Sequence, residues 1–309
     1  MILFQLILTF SLLLTGEAFQ GPSQSLRLKT TAFVSTGTDD LSTILSSRFP
    51  TSIQDQVRQA SEALKRATAD GVHRHSVRLL LPLIGANDLD DWPGGTRQMI
   101  EAAFPLMEDV LGNLGAEKIS QSIIDESDGI RLMMAQATEA KDDSCTVLLP
   151  SADTIQQLES IDGQVGESRN LMLVNAQWRR RSDFGFFGRQ KQVSYAETFV
   201  PTFHCSNLMF DGEQVRVLRS YPGPWRVYVR EEGRASVGWT EIGQKDFVAS
   251  KPVDWENQDA NKKNGGRLFD YGQPTYQEIG EMIVGRDGYQ PKTVTERAAA
   301  AFTFNKDAM

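Results

Sequence analysis

Cysteine and histidine are both scarce in this chain, and each shortage excludes something. The cysteines are Cys145 and Cys205 alone. Two thiols cannot staple an extracellular disulfide scaffold, although one bridge between them stays open. The histidines are His73, His75 and His204. His73 and His75 stand two apart near a strand start and so would share a face. A metal site needs further ligands, none of which stands close in sequence, so no metal is predicted. His204 and Cys205 are adjacent, which points their side chains apart and favours core packing over a Cys–His dyad. Beyond Leu14 no apolar run reaches the length of a membrane-spanning helix, so no transmembrane helix is expected there, and peripheral membrane association stays open. Basic excess is missing too: 32 Lys and Arg face 40 Asp and Glu, for a net charge of −8. That balance argues against a nucleic-acid partner, whose footprint is basic. Gly-x-Ser-x-Gly, His-Glu-x-x-His and Cys-x-x-Cys are all absent. The reading therefore leans away from an enzyme and predicts no cofactor.

What is present is clearest at the start. Residues 2–14 are apolar except for Gln5, Thr9 and Ser11. This is the length of a signal-peptide core, and the small residues Gly16 and Ala18 place cleavage after Ala18. Residues 19–38 contain no acidic side chain; Arg27 and Lys29 are the charges, among hydroxyls such as Ser23, Thr30 and Ser35. Such a segment has the composition of a transit peptide. A signal peptide (1–18) followed by a transit peptide (19–38) resembles the bipartite presequence of proteins sent to the complex plastids of algae, and Ala18-Phe19 resembles its cleavage junction. The alternative is a plain secretory signal with an irregular N-terminus.

The remainder is expected to form one α/β domain over 39–290, with a loosely ordered tail over 291–309. Ile53, Val57, Ala60, Leu64 and Ala67 recur at helical spacing and predict a helix over 52–68. Residues 77–83 read as a first strand. A loop with Asp88, Asp90 and Asp91 follows; its spacing is not that of a calcium loop. Residues 97–111 predict a second helix, which Pro105 should kink or break. Strands are expected over 118–124, 129–135, 145–149 and 170–178. A helix through Ile161, capped by Ser151 or Asp153, separates the last two. In the last third, 197–210 is apolar, 215–219 and 225–230 read as two antiparallel strands, and a further pair is expected over 236–242 and 246–250. Polar residues 261–266 form a loop, and 274–284 the last helix. The fold class is α/β: a mainly parallel sheet flanked by helices, with an antiparallel extension in the C-terminal third.

Candidate site residues follow from this frame. Residues 171–174 are an apolar run that ends in Asn175, Gln177 and Trp178, and ligands of open α/β sheets gather past the carboxyl ends of strands. The bland alternative is that both amides satisfy backbone and Trp178 fills core. Gly94, Gly95 and Thr96 before Arg97 have the topology of an anion site at a helix start, but lack the lysine and glycine spacing of a P-loop. Arg179, Arg180 and Arg181 are the densest basic run; with Phe186, Phe187 and Trp225 they would make an exposed contact surface. Tyr221 precedes the turn that leads into Trp225.

Three stretches carry a resemblance: Gly94-Gly95-Thr96 with Gln98-Met99 and Glu101-Ala102-Ala103; Leu173-Val174-Asn175-Ala176-Gln177-Trp178; and Tyr221-Pro222-Gly223-Pro224-Trp225. Across residues 50–285 the chain resembles a plastid and cyanobacterial family of unknown function. Its members include the photosystem II assembly protein Low PSII Accumulation Three and the C-terminal domain of a plastid adenylate kinase. The family typically shows Asn-Pro-Gln-Trp where this chain has Ala176. The resemblance implies no catalytic residues. It implies a non-enzymatic factor in the stroma or at the thylakoid periphery, with photosystem II assembly intermediates or other thylakoid proteins as partners. The alternative is a phosphate- or nucleotide-binding enzyme or regulatory domain that uses Gly94–Arg97 with Asn175 and Gln177.

Overall fold

Alternating hydrophobicity and helical stripes assemble here around one sheet. The structure, a computed structural model, describes residues 48–83, 92–178, 181–185, 189–231, 238–248 and 271–303. The presequence, the loop with Asp88, Asp90 and Asp91, Arg179, Arg180, Phe186, Phe187 and the loop over 261–266 lie outside those residues. The described residues all belong to one unit, Asp40–Met309.

Helix α1 (Ile53–Ala69) starts where Ser52 accepts the Asp55 N–H, and it buries Val57, Ala60, Ala63, Leu64 and Ala67. Strand β1 (Arg74–Arg78) begins three residues before the expected start, because alternation rather than the Leu79-Leu80-Leu81 run defines it. Helix α2 (Gly95–Asn113) runs through Pro105 as one element. Pro105 is exposed, while its neighbours Ala103, Leu106 and Met107 are anchored in the core. That burial outweighs the lost helical hydrogen bond. Strands β2 (Ala116–Asp125) and β3 (Ile130–Ala137) form a hairpin. After β4 (Ser144–Leu148), a 3-10 turn over Ala152–Thr154 precedes α3 (Ile155–Val165), and neither Ser151 nor Thr154 caps by its side chain. Strand β5 spans Asn170–Val174. An unexpected helix, α4 (Arg189–Ala196), leads into β6 (Val200–Phe210), β7 (Glu213–Ser220) and β8 (Trp225–Glu231). Of the expected pair, β9 (Gly238–Lys245) is present; 246–248 are not a strand, and 249–250 lie outside the described residues. Helix α5 (Tyr276–Val284) carries a capping box of Thr275 and Glu278. The expected loose tail contains α6 (Val294–Thr303), tied down where Lys292 donates to the Gly212 carbonyl at 3.2 Å.

The sheet order is β2-β3-β4-β5-β1-β6-β7-β8-β9. β4, β5, β1 and β6 run parallel, which confirms the α/β class with its antiparallel C-terminal extension. The β2–β3 hairpin makes the opposite edge antiparallel as well. Leu64, Met107 and Leu111 of α1 and α2 cover one face over Val77, Leu148, Met172 and Phe203. Ile155 and Leu158 of α3 and Val193 of α4 cover the other over Leu171 and Leu173. Farther along, Ile279 and Ile283 of α5 pack on Val215, Val217 and Val227. β1 is thus followed by a helix on one face and β5 by a helix on the other. The carboxyl ends of β1 and β5 form the switch point where such sheets open a crevice.

Candidate functional site at the switch point

Asn175 sits at that switch point in a left-handed conformation, φ 50°, which Asn tolerates better than most residues. Its N–H donates to the Val77 carbonyl at 2.8 Å. Its side chain is spent on β1: Oδ1 accepts the Leu79 N–H at 2.7 Å and Nδ2 donates to the Leu79 carbonyl at 3.0 Å. Gln56 of α1 repeats the pattern one residue on, accepting the Leu80 N–H at 2.9 Å and donating to the Leu80 carbonyl at 3.0 Å. Two amides therefore complete the hydrogen bonding of the chain where it leaves β1. Gln56, fully buried, was not marked by the sequence; a glutamine on the apolar face of α1 was the available signal.

Gln177 is exposed, and its amide donates to the Leu149 carbonyl at 2.7 Å, tying the end of β5 to β4. Trp178 is buried against Phe184, with ring centroids 5.4 Å apart. Arg78 donates to the Ala176 carbonyl at 3.1 Å.

The start of α2 leans elsewhere. The Gly94 N–H donates to Gln98 Oε1 at 3.0 Å, and Gly95 adopts φ 59°. Arg97 donates to the Glu126 carbonyl and to the Ser127 carbonyl, the latter at 3.2 Å, and so rests on the β2–β3 turn. Thr96 is half-buried between them. β4 separates that hairpin from β5.

Tyr221 and Trp225 stand apart from both groups. β6 and β7 lie between β8 and β1. The Tyr221 hydroxyl donates to Asp70 at 3.0 Å, while its carbonyl accepts from Arg66 at 2.9 Å. Trp225 is not the exposed contact residue the sequence suggested. It is 1% exposed, and its indole N–H donates to the Tyr271 carbonyl at 2.9 Å. Strand pairing sets it beside Arg219, on the face that α5 covers.

The scarce residues are structural in their surroundings. His73 and His75 share a face as expected and converge on Asn170 Oδ1, at 3.1 and 3.3 Å. His75 also meets the Thr202 hydroxyl at 2.9 Å. Burial pulls the His75 pKa down to about 4, against the bond to Asn170 that raises it. Both cysteines are free. They lie on β4 and β6, three strand spacings or at least about 14 Å apart across the sheet and offset along the strands as well, which is beyond the reach of a disulfide. Burial pushes the Cys145 thiol to about 11 and Cys205 to about 12, so neither is a thiolate at neutral pH. Among the described residues no three His, Cys, Asp or Glu side chains group as metal ligands. No helix among them is long and apolar enough to cross a membrane.

A family model described as a domain of unknown function (DUF1995) matches residues 50–246, well over half of the chain. No curated protein matches the chain, and no solved structure does.

Proposed function

We propose, from the premise that the chain belongs to the family of unknown function DUF1995, that it is a plastid-targeted, non-enzymatic factor. In this reading it supports photosystem II assembly through protein contacts at or near thylakoids. The observation that carries the reading is the state of the switch point. Where an open α/β enzyme presents free polar groups, Asn175 and Gln56 are both committed to the backbone leaving β1. The composition of residues 1–38 supports the compartment, and the resemblance of three stretches to a family with photosystem-linked members supports the partner class.

The test is a fluorescent fusion carrying residues 1–45, followed by isolation of the tagged full chain from solubilised thylakoids. Import into the plastid and co-isolation of photosystem II subunits are expected. Secretion of the fusion would remove both the compartment and the partners.

One observation favours nucleotide or phosphate binding as a second reading. β1 and β5 are neighbours, which sets the strand end carrying Asn175 and Gln177 beside the strand that precedes the helix opened by Gly95, as this reading requires. Titration of the full chain with adenine nucleotides decides between the two readings. Absence of heat and of a thermal shift at millimolar ligand would dismiss the second.

A further inference from the structure

Between the apolar cluster under α3 and α4 and the cluster under α5, on the same face of the sheet, strand register sets Arg78, His204, Arg219 and Trp225 in one row. Arg219 is the unusual member. It is 1% exposed. Phe247 lies over its guanidinium carbon at 3.8 Å, with Tyr221 at 5.8 Å and Trp225 at 6.0 Å. Nη1 donates to the Pro201 carbonyl. Nε and Nη2 are buried with no hydrogen-bond partner.

Those two nitrogens are not a random pair. Their N–H bonds lie on one edge of the guanidinium and point the same way, the fork that grips both oxygens of a carboxylate or phosphate. Among the described residues no carboxylate forms an ion pair with Arg219. Neither His204 nor Tyr271 beside it adds negative charge. His204 is held neutral by burial, with Arg78 and Arg219 pushing its pKa down further. The Tyr271 hydroxyl is donated to the carbonyls of Glu197 and Phe199 at 2.7 and 3.2 Å. Aromatic rings satisfy the faces of a guanidinium and leave its edge wanting acceptors. A buried charge without a counter-charge is costly, and one trapped water would occupy the donors without neutralising it. Burial lowers the Arg219 pKa to about 10, which leaves the side chain charged at neutral pH.

The geometry points to the Nε–Nη2 edge of Arg219 as a binding site for a small oxyanion, a carboxylate or a phosphate group that presents two oxygens to the fork. This site is independent of Gly94–Arg97 and of the switch point.

The test is calorimetric titration of the full chain with sodium phosphate and, separately, sodium acetate, against sodium chloride at matched ionic strength. A saturable heat with one site per chain is expected for at least one oxyanion, and which one responds identifies the group. Arg219→Lys keeps the charge but not the two parallel donors, and should weaken that binding at least tenfold; Arg219→Met should abolish it. Should Arg219→Met fail to fold, the lysine variant alone decides. No saturable heat from either oxyanion, or undiminished binding by Arg219→Lys, overturns the proposal.

Discussion

Asn175 is asked to do two things that few residues can do together: hold φ 50° and bracket both polar groups of Leu79. Asn175→Ala leaves a buried N–H and a buried carbonyl unsatisfied and places a Cβ-bearing residue without local compensation in the left-handed region. The expected loss is on the order of 3 kcal/mol. Gln177→Ala removes one hydrogen bond at an exposed position and should cost about 1 kcal/mol or less. Urea midpoints of the two variants check this ordering, and equal losses would contradict it. The buried histidine sets a second expectation. His75 has a pKa of about 4 when folded against 6.5 ordinarily, so below pH 6.5 the unfolded chain takes up a proton that the folded chain refuses. Stability should therefore fall as pH drops from 6.5 to 4, by roughly 3 kcal/mol from this group. His204, also depressed by burial, acts in the same direction. Urea unfolding at pH 7 and pH 4.5 measures the fall. A His75→Gln variant should show a shallower one; an identical pH dependence would mean that His75 is not its source. The roles of Asn175 and Gln177 as strand-end amides were readable only as the alternative to ligand binding, because a polar pair after four apolar residues suits either use. The roles of Gln56 and Arg219 were not, since each depends on a partner distant in sequence.

Helices with a strong stripe and strands with clear alternation could be read from the residues. α1 and α2 declare themselves by Val57, Leu64, Met107 and Leu111, and β4 and β5 by apolar runs. α4 could not be read: Val193 and Ala196 are the inward positions in an otherwise polar octet. α2 survives Pro105, and α6 forms where the composition suggested a loose tail, because contacts from other elements decide both. Arg297 of α6 reaches Asp211 at 3.4 Å in the turn between β6 and β7. α5 offers a test in which two element-level effects oppose each other. Gly280 faces β6, and an added Cβ would lie 2.7 Å from Phe210 Cε2. Helix propensity alone favours Gly280→Ala by about 1 kcal/mol. Overpacking against the Phe210 ring, itself held against Tyr276 at 4.7 Å, costs about 1–3 kcal/mol. The net is a loss of thermal stability, read as a lower unfolding midpoint. A higher midpoint would show that α5 can move away from β6.

At the scale of the whole molecule, the order of the nine strands among the described residues was out of reach of the sequence. β1 is flanked by β5 and β6, about 97 and about 125 residues away respectively, and no local pattern encodes such a partner. That order makes the switch point, and the same order separates Tyr221 and Trp225 from it. Resemblances spread over three stretches of sequence thus mark three places in the fold: the hairpin edge, the centre of the sheet, and the aromatic surroundings of Arg219. The most direct measurement is the amount of assembled photosystem II in cells lacking the chain, compared with the same cells carrying it again. A several-fold reduction that reintroduction reverses is expected. Unchanged photosystem II would contradict the proposed function.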